Sequence, residues 1–181
     1  MGDIEVIGRI VMTQTSVLVT LGVGILVLAP AAMMCARRLR WSRTRIASAG
    51  LAGASLALAP ATTLARGDAL IAWGRSCLIQ PGLSLGTPEA LLNALLFAPA
   101  AFFAMLAVRR AAPVVLAALA SSAAVEAVQS VTALGTCQTS DVVRNVAGAT
   151  IACGAAALLL RMSARPIVPE EARRAPVTPT P

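Results

Sequence analysis

Five long apolar stretches divide the sequence, and polar segments rich in arginine separate most of them. The stretches lie at about residues 10–36, 46–65, 88–108, 113–133 and 142–160. An α-helix needs roughly 20 apolar residues to cross the hydrocarbon core of a bilayer, and each stretch is close to that length or longer. The pattern predicts an all-α, polytopic integral membrane bundle of about five transmembrane helices. Residues 1–161 would form a single transmembrane domain, and the Pro- and Arg-rich residues 162–181 a disordered tail.

Two details of these spans bear on their geometry. The first stretch begins with a polar turn and becomes continuously apolar only at Val17, so it either spans the membrane or lies partly in the interface. The other four spans are the same in both cases. Pro60 and Pro99 fall inside the second and third stretches, where proline is expected to kink the helix.

Composition supports the membrane class and excludes several others. The chain is 57% hydrophobic and only 13% charged, with a mean hydropathy of +0.80, which is too apolar for a soluble domain. The net charge of +7 comes from arginines clustered between spans rather than interleaved with aromatic residues. That arrangement argues against nucleic-acid binding and in favour of the positive-inside rule.

The distribution of the fifteen arginines orients the predicted bundle. Eleven fall in the proposed cytoplasmic segments: Arg37, Arg38, Arg40, Arg43, Arg45, Arg109, Arg110, Arg161, Arg165, Arg173 and Arg174. Four fall outside or at the outer interface: Arg9, Arg66, Arg75 and Arg144. The pattern predicts an external N-terminus and a cytoplasmic C-terminus.

Polar side chains inside the apolar spans are the candidate functional residues. They are Asn93, Glu126, Gln129, Asp141 and Asn145. With the orientation above, a helical rise of about 1.5 Å per residue places them in one layer in the outer half of the membrane. They form either an interhelical hydrogen-bond network that holds the bundle together or a ligand-binding site. The ionisable Glu126 favours the ligand-binding site, because a charged residue within the membrane is costly unless it has a partner or a function.

The four cysteines separate by position in the predicted topology. Cys77 and Cys137 both fall in external loops, where a disulfide is favoured over two unpaired thiols. Cys35 and Cys153 fall within spans and are typical of small packing residues. The sequence contains no histidine and no Cys-x-x-Cys pair, so neither a metal site nor a cofactor is predicted.

The region of residues 88–160 resembles the VanZ-like membrane proteins. NALLFAPAAF from Asn93 is similar to the family's Asn-x-x-x-Phe-x-Pro-x-Gly segment, EAVQ to its Glu-x-x-Gln, and DVVRNVAG to its Asp-x-x-x-Asn-x-x-Gly. The matching positions are Asn93, Phe97, Pro99, Glu126, Gln129, Asp141, Asn145 and Gly148. Cys137 resembles a loop cysteine of the actinobacterial-type members. Ala101, Gly135 and Gln138 depart from the usual Gly, Arg and Asp.

The resemblance implies a multi-pass protein of the bacterial cytoplasmic membrane, and the founding member of the family is associated with low-level teicoplanin resistance. It favours a protein that acts at the outer face and alters the display of cell-envelope lipids or lipoglycopeptides. One alternative is an enzyme that uses Glu126 and Asp141 as acid and base on a lipid-linked substrate, and another is a small transporter. The absence of histidine leans against the enzyme. The oligomeric state stays open.

Overall fold

The computed structural model describes residues 15–63, 77–79, 86–132 and 137–164. These residues form seven helices: α1 Thr15–Arg38, α2 Arg43–Leu56, α3 Leu58–Thr63, α4 Pro88–Leu96, α5 Ala98–Val108, α6 Ala111–Thr132 and α7 Thr139–Ser163. Helices α2 and α3 form one segment, and α4 and α5 another. In the described part of the chain, five segments are therefore long and apolar enough to cross a membrane. The predicted all-α membrane bundle is confirmed.

Several sequence predictions concern residues outside the described ranges. They are the first turn of the first span at residues 10–14, most of the 66–87 loop, and the tail from residue 165.

The two broken segments each contain a proline just after the break. Helix α2 ends at Leu56, four residues before Pro60, and α4 ends at Leu96, three residues before Pro99. Proline has no N–H to offer the carbonyl one turn earlier, and its ring clashes with that carbonyl. The predicted kinks are confirmed, and they lie about one turn before each proline for this reason.

Small residues allow the first two segments to pack closely. A Cβ atom added to Gly50 would lie 2.8 Å from Cγ of Met33, and one added to Gly53 would run into the carbonyl oxygen of Leu28. Helices α1 and α2 therefore approach each other through glycine, as small residues permit in membrane bundles.

Helix α7 is the centre of the remaining packing and contacts α4, α5 and α6. Gly148 packs directly against the carbonyl oxygen of Ala94 in α4. Farther along α7, Cys153 and Ala156 are buried against the core, and the Cys153 thiol lies 3.9 Å from the carbonyl oxygen of Ala101. The small residues of α7 therefore pack inside the bundle.

One end of the bundle carries most of the described arginines. Nε of Arg45 donates a 2.6 Å hydrogen bond to the carbonyl oxygen of Ala107, which joins the start of α2 to the end of α5. This bond places the α1–α2 turn and the α5–α6 turn at the same end. We call it the arginine end, defined by Arg37, Arg38, Arg40, Arg43, Arg45, Arg109 and Arg110.

Candidate functional site

A disulfide and a short backbone bridge lie at the end of the bundle opposite the arginine end. Cys77 and Cys137 are joined, with their Cα atoms 4.6 Å apart, so the predicted disulfide is confirmed. The Leu78 N–H donates to the carbonyl oxygen of Cys137 at 2.9 Å, and the Thr139 N–H donates to the carbonyl oxygen of Leu78 at 3.1 Å. The segment around Cys77 is thereby held against the start of α7.

Glu126 lies beneath this bridge, in the last third of α6. Its side chain is only 8% exposed, and Oε2 accepts a 2.7 Å hydrogen bond from the backbone N–H of Gln138. A carboxylate oxygen of Glu126 and both sulfur atoms of the disulfide lie within 4.8 Å of one another. Joined in a disulfide, the sulfurs are not thiolates, the form in which cysteine binds metals. The group is therefore a buried carboxyl packed against a disulfide.

A second polar contact joins α6 to α7 one turn deeper in the bundle. Nδ2 of Asn145 donates a 2.8 Å hydrogen bond to Oγ of Ser122. Both residues are almost fully buried, with Ser122 at 0% and Asn145 at 3% exposure. Since buried polar groups stay buried only when they are paired, this contact fixes how the two helices face each other.

The first turn of α7 carries an ion pair. Nη1 of Arg144 lies 2.8 Å from Oδ1 of Asp141, one turn earlier on the same helix. Both side chains are largely shielded from solvent. An acidic residue in the first turn also interacts favourably with the positive end of the helix dipole. The pair therefore stabilises the start of the helix that carries the cluster.

Four buried polar atoms in this region have no hydrogen-bond partner among the described residues. They are Oε1 of Gln129, Oγ of Ser140, Nε of Arg144 and Oδ1 of Asn145. An unpaired buried polar group costs about 1–3 kcal/mol, so native proteins keep few of them. We call Ser122, Glu126, Gln129, Ser140, Asp141, Arg144 and Asn145 the polar cluster. Its unpaired atoms are two amide oxygens, one hydroxyl and one N–H, which together suit a ligand bearing hydroxyl or amino groups.

The sequence placed Asn93, Glu126 and Asn145 in one polar layer, but among the described residues their hydrogen bonds go to other groups. The partner of Glu126 is the backbone N–H of Gln138, and Asn145 donates to Ser122. Asn93 is half-buried on α4, and no hydrogen bond among the described residues joins it to Glu126.

Three members of the cluster, Ser122, Ser140 and Arg144, are not among the candidate residues named from the sequence. Two of them, Ser140 and Arg144, lie on α7. Their spacing of four residues, which places both on one face of α7, was the available signal. The backbone donor of Gln138 gives no signal in the sequence, because every residue except proline carries a backbone N–H.

These features define a class of protein: a helical membrane bundle whose described residues include five apolar segments, with a buried polar cluster between α6 and α7 and a disulfide beside it. Within that class, the chain belongs to the VanZ/LLP1 family, whose model matches residues 17–160. The match extends well beyond residues 88–160, where the motifs lie, and includes the first two segments. No curated protein and no solved structure matches the chain.

Proposed function

We propose that this protein acts at the outer face of the bacterial cytoplasmic membrane, where its polar cluster binds a cell-envelope lipid or a lipoglycopeptide of the teicoplanin type. Binding would alter how envelope lipids are displayed to the antibiotic. The observation that carries the proposal is the set of unpaired buried atoms on Gln129, Ser140, Arg144 and Asn145. Ligand hydroxyl and amino groups would pair with the two amide oxygens and the serine hydroxyl.

The arginines support an outward-facing cluster. Segments rich in arginine are retained on the cytoplasmic side of bacterial membranes, and the polar cluster lies at the end opposite the arginine end. The disulfide between Cys77 and Cys137 agrees with that orientation, because disulfides persist on the oxidising side of the membrane.

The engagement of both carboxylates favours binding over turnover. Glu126 already accepts a hydrogen bond from Gln138, and Asp141 is paired with Arg144. A general acid or base has to be within hydrogen-bond reach of the proton that it transfers. Carboxylates held by partners within the protein are better suited to ordering a binding site.

Substitution of Glu126 separates a role in the site from a role in the fold. Glutamine retains an oxygen that accepts from the Gln138 N–H, so Glu126→Gln should accumulate normally and unfold near the wild-type temperature. Glu126→Ala leaves that N–H without its side-chain acceptor and should lose about 1–3 kcal/mol of stability. If the proposal holds, both variants lose activity. Retention of activity by the glutamine variant would show that the role of Glu126 is structural.

Activity would be measured in bacteria with and without the protein, by teicoplanin susceptibility and by binding of labelled teicoplanin to intact cells. The proposal predicts that the protein changes both readouts while the lipid composition stays the same. A new or depleted lipid species in a lipidomic comparison would instead favour the enzyme. Unchanged susceptibility and unchanged binding would refute a role in antibiotic access.

A further inference from the structure

An apolar groove lies between the first two helical segments and the pair formed by α5 and α6. Its volume is about 460 Å³, within the range of roughly 300–1,000 Å³ that is typical of small-molecule sites. Alanines of α1, α2, α5 and α6 form most of its wall, and Leu28, Leu56 and Phe97 supply larger side chains. Because alanine is short, these helices leave space that an apolar ligand can fill with favourable contacts.

The groove opens at the arginine end beside a fixed cation. Trp41, Ala107 and Val108 line that part of the groove. The guanidinium carbon of Arg45 lies 4.3 Å from the centroid of the Trp41 ring. Nε of Arg45 is bonded to the carbonyl oxygen of Ala107, so the guanidinium group is held at the mouth of the groove by two independent contacts.

Two further arginines follow directly on the groove wall. Arg109 and Arg110 come immediately after Val108, and both are exposed. Arg109 adopts the left-handed conformation, with φ of 62°, in the tight turn between α5 and α6. The turn therefore places both residues at this end of the groove. Three arginines thus lie at one end of an otherwise apolar groove.

We propose that this groove binds an anionic phospholipid, with one acyl chain inside it and the phosphate held by Arg45, Arg109 and Arg110. Arginine suits this role because its planar group presents several donors to phosphate oxygens. Basic pockets between membrane helices bind anionic headgroups by the same chemistry. The headgroup end of this site lies at the opposite end of the bundle from the disulfide and Glu126, and the proposal does not depend on the function proposed for the polar cluster.

Charge also favours a lipid over a second copy of the chain as the occupant. Two copies in the same membrane orientation, docked face to face through the groove, would bring two sets of arginines together, and the like charges would repel. A phospholipid supplies the opposite charge and an apolar chain in a single molecule.

Trp41 provides a direct reporter of the occupant. The chain has two tryptophans, so a Trp73→Phe variant retains only the one that lines the groove. This variant would be reconstituted in phosphatidylcholine vesicles containing increasing fractions of either brominated phosphatidylglycerol or brominated phosphatidylcholine, since bromine quenches tryptophan fluorescence. We expect phosphatidylglycerol to be bound preferentially, by on the order of fivefold for each arginine engaged. Equal quenching by the two lipids would overturn the proposal.

Matched variants in the Trp73→Phe background separate the site from general lipid contact. Arg110→Gln should reduce the preference for phosphatidylglycerol, whereas Arg161→Gln, an exposed arginine of α7 away from the groove, should leave it unchanged. Ala104→Leu should reduce quenching by filling the groove, and Ala155→Leu on the exposed face of α7 is its control. Equal effects of Arg110→Gln and Arg161→Gln would also refute the site, whether or not Ala104→Leu folds.

Discussion

At the scale of single residues, the contact between Asn145 and Ser122 is the most deeply buried polar interaction between α6 and α7. It offers a test of how strongly the polar cluster supports the fold. The Asn145 side chain already has one buried oxygen without a partner among the described residues, so losing the bond to Ser122 would leave both ends of the amide unpaired there.

Ser122→Ala should therefore lower the free energy of unfolding by about 1–3 kcal/mol, the cost of an unsatisfied buried donor. Ser130→Ala is the matched control, because the Ser130 hydroxyl donates to the Ala127 carbonyl of its own helix and so joins no second helix through that bond. Thermal unfolding of the purified proteins in detergent would compare the two. Equal stabilities would mean that the Asn145 amide finds another partner.

The sequence predicted which residues gather at this site better than it predicted how they bond. The spacing of Glu126 and Gln129 placed both on the inner face of α6, and Asn145 is buried on α7 as the pattern suggested. Their partners could not be foreseen, because Ser122 was not among the candidate residues and the donor to Glu126 belongs to the backbone. Helical periodicity predicts on which face of a helix a residue lies. Its hydrogen-bond partner depends on side-chain rotamers and on the conformation of the neighbouring loop.

At the scale of helices, the approach of α4 to α7 depends on Gly148. A Cβ atom at this position would overlap the carbonyl oxygen of Ala94, and backbone on both sides leaves no flexible side chain to move. The contact holds the two helices closer than any other residue would allow.

Gly148→Ala should push α4 and α7 apart and destabilise the protein by about 1–3 kcal/mol or more. Gly154→Ala on the same helix is the control, since nothing lies within 4 Å of its added Cβ. There the better helix propensity of alanine should be neutral or stabilising, by up to about 1 kcal/mol. Comparable losses in thermal unfolding for both variants would show that the close approach is not what matters.

Helix ends were harder to place than helix centres. The hydropathy pattern started the last span at residue 142, whereas α7 begins at Thr139. The first turn of α7 is polar, which is typical of a loop. It is nevertheless helical, and Asp141 in this turn interacts favourably with the positive end of the helix dipole. The helix break that accompanies Pro60 comes after Leu56, four residues earlier, since a proline disturbs the turn before it.

At the scale of the whole molecule, the disulfide joins parts of the chain that are 60 residues apart. In the chain-entropy model, closing such a loop restricts the unfolded chain by about 4 kcal/mol. A Cys77→Ser/Cys137→Ser variant should unfold at a lower temperature by a corresponding amount, with Cys35→Ser, a free cysteine, as control. Mass spectrometry of non-reduced peptides checks the linkage. Alkylation of both residues without reduction would show that the bridge does not form in cells.

The orientation of the bundle is a prediction from the arginines, with which the disulfide agrees, and it needs its own test. A reporter fused after Pro181 should be active only in the cytoplasm. A cysteine substituted for exposed Thr87 should react with an impermeant reagent from outside, and one substituted for Arg43 should not. Both labelling experiments would use the Cys35→Ser background. Labelling of the Arg43 position in intact cells would show that the topology is the reverse of the one predicted.

The hydrogen bond between Glu126 and Gln138 also constrains how the protein is made. The N–H that donates to the Glu126 carboxylate lies twelve residues later in the chain. Helix α6 therefore leaves the ribosome before the carboxylate can accept this hydrogen bond. Inserting such a carboxylate alone costs about 3 kcal/mol on translocon scales. Helices α6 and α7 would then enter the bilayer most readily as a hairpin, with α6 held at the translocon until the following turn has been synthesised.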